Sequence, residues 1–339
     1  MDQYILVADI GGTNSRFQVW QYDATPSLLA SQQACSCLFE QRYASAAFDT
    51  FDLILDQVLS SLPCAHFDAL VIGAAGPVLN QQVQFTNLKW SVSLTQLQAR
   101  FPGAVVALLN DFTIAAYALD SLQDEDYATL YAVNNPHLHS SPLRLLVGAG
   151  TGLGVGLLHD YEGDLTVIAT EAGHVDFAPL DAFDRQLQAW LMQSWHHVSF
   201  ERLVSGDGLV AIYQFITHCD LFDPGQGPSA AEIAGFADQG DSVARQAITL
   251  FWGYYGQFIG NMTLCWPALG GVYIAGGMAP KLVRWMEDSP FYDRLWQKGR
   301  MSDIVKNCAL HLIKSDNLGL IGARNYARYQ LQQITIANK

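Results

Sequence analysis

The chain has 339 residues, half of them apolar and 15% charged, with 18 Lys and Arg against 32 Asp and Glu for a net charge of −14. That length and apolar content suit a globular chain of two domains, each with its own core, and exclude a disordered one. The acidic balance argues against nucleic acid and against anionic lipid as partners.

At the front, residues 4–10, 16–22 and 28–36 read as three strands, the start of a meander. The first two are joined by Gly11-Gly12-Thr13-Asn14. Glycines let a backbone turn sharply and let its N–H groups approach an anion, and a threonine hydroxyl adds a donor. Asp9 lies against this turn. It reads either as a turn acid or, beside phosphates, as the partner of Mg2+ or of a Mg2+-bound water. Residues 45–62 carry Phe48, Phe51, Leu53, Ile54, Val58, Leu59 and Leu62 at helical spacing. A buried strand follows from Ala69, running into Gly76-Pro77, then a short helix over 93–101 and a buried strand over 105–109. That strand ends at Asn110-Asp111, and Phe112 opens a helix. Two readings of Asp111 stay open: a helix N-cap, or a general base at the strand end where α/β sheets place their ligand crevice. Asn110 beside it can both donate to and accept from hydroxyls.

Residues 121–142 are polar and loop-rich. A second glycine hairpin follows over 145–158, turning through Gly148-Ala149-Gly150-Thr151-Gly152. Two such turns facing each other would hold the phosphates of one nucleotide, which makes an ATP-using enzyme the first candidate. In Thr170-Glu171-Ala172-Gly173-His174 a carboxylate and an imidazole stand three residues apart and suit hydrogen bonds to a polyol. A metal half-site of this spacing needs a helix and a second copy, and the sequence supplies neither. Glu201 alone reads as a surface helix acid. His196-His197 has no further ligand at zinc spacing. Residues 181–218 and 229–266 read as mainly helical, broken by a Pro- and Gly-rich stretch over 223–228. A strand over 271–275 turns at Gly276-Gly277 into a helix, a turn that lets a flat base lie on backbone and a phosphate sit at a helix start. Residues 308–314 form a last strand and 317–332 a last helix. Alternating strands and helices indicate an α/β fold.

The first residues show no basic segment, and the apolar run after them breaks at Asp9, so no export signal is expected. No stretch approaches the roughly 18 apolar residues that span a bilayer. The six cysteines read as reduced thiols, and the expected location is cytoplasmic.

The order of these motifs resembles the bacterial glucokinase family, within the actin/hexokinase/Hsp70 ATPase superfamily. The matching stretches are Asp9–Arg16, the Asn87–Ser91 region, Asn110–Thr113, Gly148–Gly154, Gly173–Pro179, Ser199–Gly208, Gly270–Gly277 and Asp316–Gly322, which span nearly the whole chain. The resemblance implies a two-domain actin-like ATPase (ribonuclease H-like) α/β fold with the active site in an interdomain cleft. The small domain would be 1–110 with 317–339, the large one 111–316. It further implies transfer of the ATP γ-phosphoryl group to the 6-hydroxyl of glucose. By resemblance Asp111 is the catalytic base, and Asn110, Asp111, Glu171, His174 and Glu201 bind the sugar. Asp9, Gly11, Gly12, Thr13, Asn14, Gly150 and Thr151 form the phosphate region, with Mg2+ at Asp9 through water, and Gly276 and Gly277 receive the adenosine. A homodimer is implied as well. The chain departs from the family pattern at Ala172 and Thr170, where glycine is common, and at Asp207, where a small residue is common. The Ala172 methyl is expected to narrow the sugar site. Kinases of the repressor/open-reading-frame/kinase group usually carry zinc-binding cysteines after the sugar-binding His, and no cysteine stands between His174 and Glu201. A sugar-responsive repressor of that group would need a DNA-binding module before the first hairpin, and a silent sugar sensor would not need Asp111 and both phosphate turns.

Overall fold

The protein is described here from a computed structural model, over residues 2–22, 35–62, 66–85, 88–133 and 141–337. Asn87, the Asn-Asn-Pro stretch at 134–136 and most of the strand expected over 28–36 lie outside the described residues. The chain forms two compact units, Met1–Gln123 with Asn317–Lys339, and Asp124–Asp316. Residues 111–123, grouped with the large domain in the sequence reading, go with the first unit.

In the first unit, strands β1 (Gln3–Ile10), β2 (Asn14–Tyr22), β3 (Cys35–Ala44), β4 (Ala69–Ala74) and β8 (Val105–Asn110) form one sheet in the order β3-β2-β1-β4-β8. A small second sheet joins β5 (Val78–Leu79), β6 (Gln82–Gln84) and β7 (Ser91–Ser93). The hairpin β1–β2 is antiparallel, while β1, β4 and β8 run parallel. Side chains alternate along a strand, so β1 is buried on both faces. Leu6, Ala8 and Ile10 join Ile54, Leu55 and Val58 of helix α1 (Phe51–Ser60), and Ile5 and Val7 join a core with Ile114, Leu320 and Ala323. Helix α2 (Leu94–Arg100) precedes β8, and α3 (Asp111–Ala116) follows it directly. The last helix, Leu318–Ala337, packs on α3 so closely that a Cβ on Gly322 would come within 1.8 Å of the Ile114 carbonyl oxygen.

The helix expected over 45–62 begins at Phe51, because the Thr50 hydroxyl caps it by accepting from Leu53 N–H at 3.3 Å. Ser45 is taken by the first glycine turn instead. The third strand is described over 35–44 and runs past the end that the sequence suggested; among the described residues it is an edge strand, largely exposed, with no apolar alternation to announce it.

The second unit carries β9 (Tyr127–Tyr131), β10 (Leu143–Ala149), β11 (Leu153–Tyr161), β12 (Asp164–Thr170), β13 (Val272–Ala275) and β14 (Leu310–Ile313), in the order β12-β11-β10-β13-β14-β9. Its hairpin β10–β11 is antiparallel and β10, β13 and β14 run parallel. Strand for strand, β10 to β14 repeat the arrangement of β1 to β4 and β8. The two glycine hairpins that look alike in sequence therefore sit at the same place in two sheets of the same topology. Two strands of this unit escaped the sequence reading, as did short β5, β6 and β7 of the first. β9 lies in the stretch expected as loop, and β12 returns through Glu162-Gly163, both at positive φ (53° and 86°), a tight hairpin turn.

Helices α4 (Ala182–Leu191), α5 (Gly206–Ile216), α6 (Ala230–Asp238), α7 (Ser242–Cys265), α8 (Ala279–Leu282), α9 (Phe291–Trp296) and α10 (Ser302–Lys306) complete the unit. Buried α7 is its axis, with Phe251, Trp252, Tyr255, Phe258 and Ile259 in the core. One stripe of α7 is glycine. A Cβ at Gly256 would lie 2.2 Å from the Phe291 carbonyl oxygen, and one at Gly260 2.3 Å from that of Leu295, so α9 rests directly on the α7 backbone. Among the described residues no helix is long and apolar enough to cross a membrane.

Candidate active site

The residues singled out from the sequence fall into two groups, one in each unit. In the first unit they gather at one edge of the sheet. Register pairs Ile10 with Ala74 and Ala74 with Asn110, so the ends of β1, β4 and β8 are level. This is the carboxyl edge of three parallel strands, where open α/β sheets place their ligands. Asn110 caps α3: its Oδ1 accepts from Phe112 N–H at 2.9 Å and Thr113 N–H at 3.2 Å, and its Nδ2 donates to the Gly76 carbonyl at 3.1 Å. Asp111 is therefore the first helical residue and not the cap. Its Oδ1 also accepts from Phe112 N–H at 2.9 Å, and the residue is partly exposed.

The first glycine turn closes on itself, with Gly11 N–H donating to the Asn14 carbonyl at 2.9 Å. A residue that sequence reasoning missed pins it from outside. Fully buried Ser45 donates its hydroxyl to the Gly11 carbonyl at 2.8 Å and its N–H to the Thr13 carbonyl at 3.0 Å. Thr13 is left exposed at the tip, beside partly exposed Gly12. Asp9 stands at the end of β1, against the first turn of the last helix. A Cβ on Gly319 would lie 2.8 Å from Asp9 Cγ, so glycine there makes room for the carboxylate. The helix start carries partial positive charge that favours an anion.

In the second unit the candidates meet around Leu153. Its N–H donates to Glu201 Oε2 at 2.9 Å, and its carbonyl would lie 1.9 Å from a Cβ on Gly173. Gly152 touches the same carboxylate: a methyl there would come within 2.6 Å of Glu201 Oε2. Across the carboxylate, Glu201 Oε1 lies 3.7 Å from His174 Nδ1, with His174 56% and Glu201 23% exposed. Glu171 is exposed one 3-10 turn before His174, whose N–H donates to the Glu171 carbonyl at 3.0 Å. The segment after His174 pairs with the segment before Glu201: Phe177 N–H donates to Val198 O, Phe200 N–H to Val175 O, and Asp176 bridges Ser199. Glu201, which read as a lone surface acid, thus belongs to this cluster.

The second glycine turn is held by Gly150 N–H to Gly152 O at 2.8 Å and by Gly206 N–H, the first of α5, to Gly150 O at 2.9 Å. Gly276, at φ +85°, presses on the end of β10, where a Cβ would meet the Ala149 carbonyl oxygen at 2.3 Å. Beside Gly150 and Gly277, by contrast, an added Cβ would meet nothing within 4 Å. Those two glycines are open, as backbone approached by a ligand must be.

Two departures from the family pattern take on definite roles. Thr170 donates its hydroxyl to Val155 O at 3.1 Å and accepts from Ala172 N–H at 3.2 Å, fastening the start of the Glu171–His174 loop. Ala172 is buried within the core of the unit, 7% exposed. The expectation that its methyl narrows the sugar site gives way to a packing role. His197 pairs with Asp176 at 2.7 Å on the surface.

Among the described residues no group of three metal-ligating side chains occurs. A single hard carboxylate such as Asp9 suits Mg2+ in its usual mode, bound to one or two carboxylates, waters and substrate phosphates.

A family model for glucokinases matches residues 6–330. A glucokinase of Nostoc sp. (strain PCC 7120) is 32% identical over 347 aligned residues, covering 94% of this chain and 97% of that protein. The crystal structure of a glucokinase from an Antarctic psychrotroph is 28% identical and superposes with a TM-score of 0.82, over 96% of this chain and 98% of that one. A Balamuthia mandrillaris glucokinase, solved in complex with glucose, shares the fold with a TM-score of 0.76 at 20% identity, over 96% of this chain and 94% of that one. The likeness runs through both units, and the actin-like ATPase fold expected from the sequence is the fold of this chain.

Proposed function

The chain belongs to the glucokinase family, and from that premise we propose that it transfers the γ-phosphoryl group of ATP to the 6-hydroxyl of glucose, with Asp111 as general base. The observation that supports the base assignment is the cap at Asn110: with Asn110 binding the helix start, Asp111 is not needed for it. A carboxylate at the carboxyl edge of a parallel sheet is placed to take the hydroxyl proton as the oxygen attacks phosphorus.

Glu171, His174 and Glu201 hold the sugar hydroxyls, joined by the Asn110 amide. A site made of such polar groups rejects analogues that leave them unpaired. Gly11, Gly12, Thr13, Asn14, Gly150 and Thr151 receive the phosphates, and Gly276 and Gly277 the adenosine. Backbone N–H groups of both turns stabilise charge on the transferring group. Asp9 holds Mg2+ through water, and the ion supplies charge neutralisation at the phosphates when bound. Family membership also supports a cytoplasmic homodimer that delivers glucose 6-phosphate to glycolysis.

The test is ADP release from Mg-ATP with glucose, mannose, fructose, N-acetylglucosamine and no sugar side by side. Glucose-dependent release is expected. In Asp111→Ala, turnover should fall by about 10²–10⁴-fold while glucose binding by calorimetry persists. Near-normal turnover in that variant removes Asp111 from the base role.

A further inference from the structure

Behind the sugar-binding segment of the second unit lies a buried ionic cluster that the reaction itself does not use. Asp184 and Tyr254 are wholly buried, Gln257 is nearly so, and Arg294 is 9% exposed. Both oxygens of Asp184 are doubly occupied. Oδ1 accepts from Tyr254 Oη–H at 2.9 Å and Arg294 Nη2 at 3.1 Å; Oδ2 accepts from Arg294 Nη1 at 2.9 Å and Leu180 N–H at 3.0 Å. Arg294 reaches Gln257 Oε1 at 3.4 Å and Asp181 Oδ2 at 3.2 Å, and lies 4.9 Å from the Tyr254 ring centre. The glycine stripe of α7 makes this reach available, because it lets α9 sit on the α7 backbone.

The cluster has an outlet. Gln257 Nε2 donates to the Ala178 carbonyl at 2.5 Å, Asp184 takes Leu180 N–H, and Gln188 Nε2 donates to the Phe177 carbonyl at 3.0 Å. The Phe177 ring meets Tyr254 edge-on at 5.2 Å. Phe177, Ala178 and Leu180 are thereby tied to α4 and α7, while Phe177 N–H holds the 198–200 segment through the Val198 carbonyl. His174 lies just before them, and Glu201 lies at the end of the segment they pair with. Through that pairing, a shift of Phe177–Ala178 would reach both His174 and Glu201.

A buried ion pair is a poor device for stability alone, since well-packed apolar residues of similar volume serve as well or better. Its better-attested use is to fix one arrangement among several. We propose that the Asp184–Arg294–Gln257 cluster is a positioning device for the sugar subsite, with Gln257 and Arg294 setting His174 and Glu201 through Ala178 and Leu180. The inference rests on the glucokinase reading above.

Gln257→Met tests it while leaving the Asp184–Arg294 pair in place. A double variant, Asp184→Leu with Arg294→Met, removes the pair without stranding a buried charge, since the Asp181 carboxylate left behind is exposed. Misplacement of a binding group by about 1 Å costs on the order of 10²-fold. Both variants should therefore raise the glucose KM by about 10–100-fold, leave the ATP KM within about twofold, and keep a cooperative melt. A matching loss in glucose affinity by calorimetry is expected. Folded variants with unchanged glucose KM and Kd would reduce the cluster to packing, and equal rises in both KM values would overturn the specific link to the sugar. Wild-type protein that neither binds glucose nor releases ADP overturns the underlying reading, and this inference with it.

Discussion

The two groups of candidate residues are built in different ways. In the first unit the decisive contacts are mostly local. Asn110 caps the residues two and three ahead of it, and Gly11 closes on Asn14. In the second unit the contacts that bring the candidates together cross the sequence. Glu201 is held by Leu153, 48 residues away, Gly173 fits against the same Leu153, and Gly276 against Ala149. Local construction confines damage, since a cap lost at one helix start leaves other elements in place. Long-range construction spreads it, because the Glu201 carboxylate, proposed to face the sugar, also braces the second glycine turn.

Gly152→Ala should give the largest contrast. Its methyl would come within 2.6 Å of Glu201 Oε2, so the carboxylate or the turn must move. Glucose and ATP KM should both rise, by about 10-fold or more given the sensitivity of such sites to small displacements. Gly150→Ala is the partner experiment, because a Cβ there meets no protein atom within 4 Å. It should raise the ATP KM and leave the glucose KM nearly unchanged. Steady-state kinetics with each substrate varied in turn separates the two, and identical patterns would erase the distinction between bracing glycine and open glycine.

The first glycine turn is itself pinned at long range by Ser45, and this sets the limit of the comparison. Ser45→Ala leaves the Gly11 carbonyl without its buried donor. An unsatisfied buried polar group costs about 1–3 kcal/mol. Unfolding midpoints should fall accordingly, and the ATP KM should rise several-fold with the glucose KM little changed. A glucose KM that rises with it would show that the first unit is no more local than the second.

This difference also explains what was legible in the sequence. Glycine turns, the Asn-Asp pair and buried apolar strands announce themselves by short-range chemistry, and the edge residues of the first sheet were found that way. Glu201 is not marked by anything within ten residues, so only the family resemblance assigned it to the sugar; in the fold, the pairing of 175–177 with 198–200 brings it to His174. Ser45 was read as part of a helix because periodicity does not reveal that its hydroxyl is used elsewhere. Ala172 was read as facing the sugar, since a sequence gives the position of a methyl but not the side it faces. The edge strands β3 and β12 lack a buried face, and with it the alternation that marks a strand.

The smallest predicted effect concerns the scaffold behind the second group. Lys298 donates to the Gln257 backbone carbonyl at 3.2 Å, and burial pulls its ammonium down to about 8. In the unfolded chain the same group titrates near 10.4. Below about pH 8 the amine is charged in both states, and the full cost of burying it is present. Between about 8 and 10.4 the folded protein gives up the proton while the unfolded chain keeps it, so this cost fades as pH rises and is gone above the unfolded value. Lys298→Met should therefore stabilise the protein modestly at pH 7, with an advantage that shrinks toward pH 10. Thermal melts of both proteins across that range provide the check. Because Lys298 touches the backbone of Gln257 and not its amide, glucose KM should stay constant in this variant. A glucose KM that moves with Lys298 would extend the positioning device beyond the side chains that contact residues 177–180.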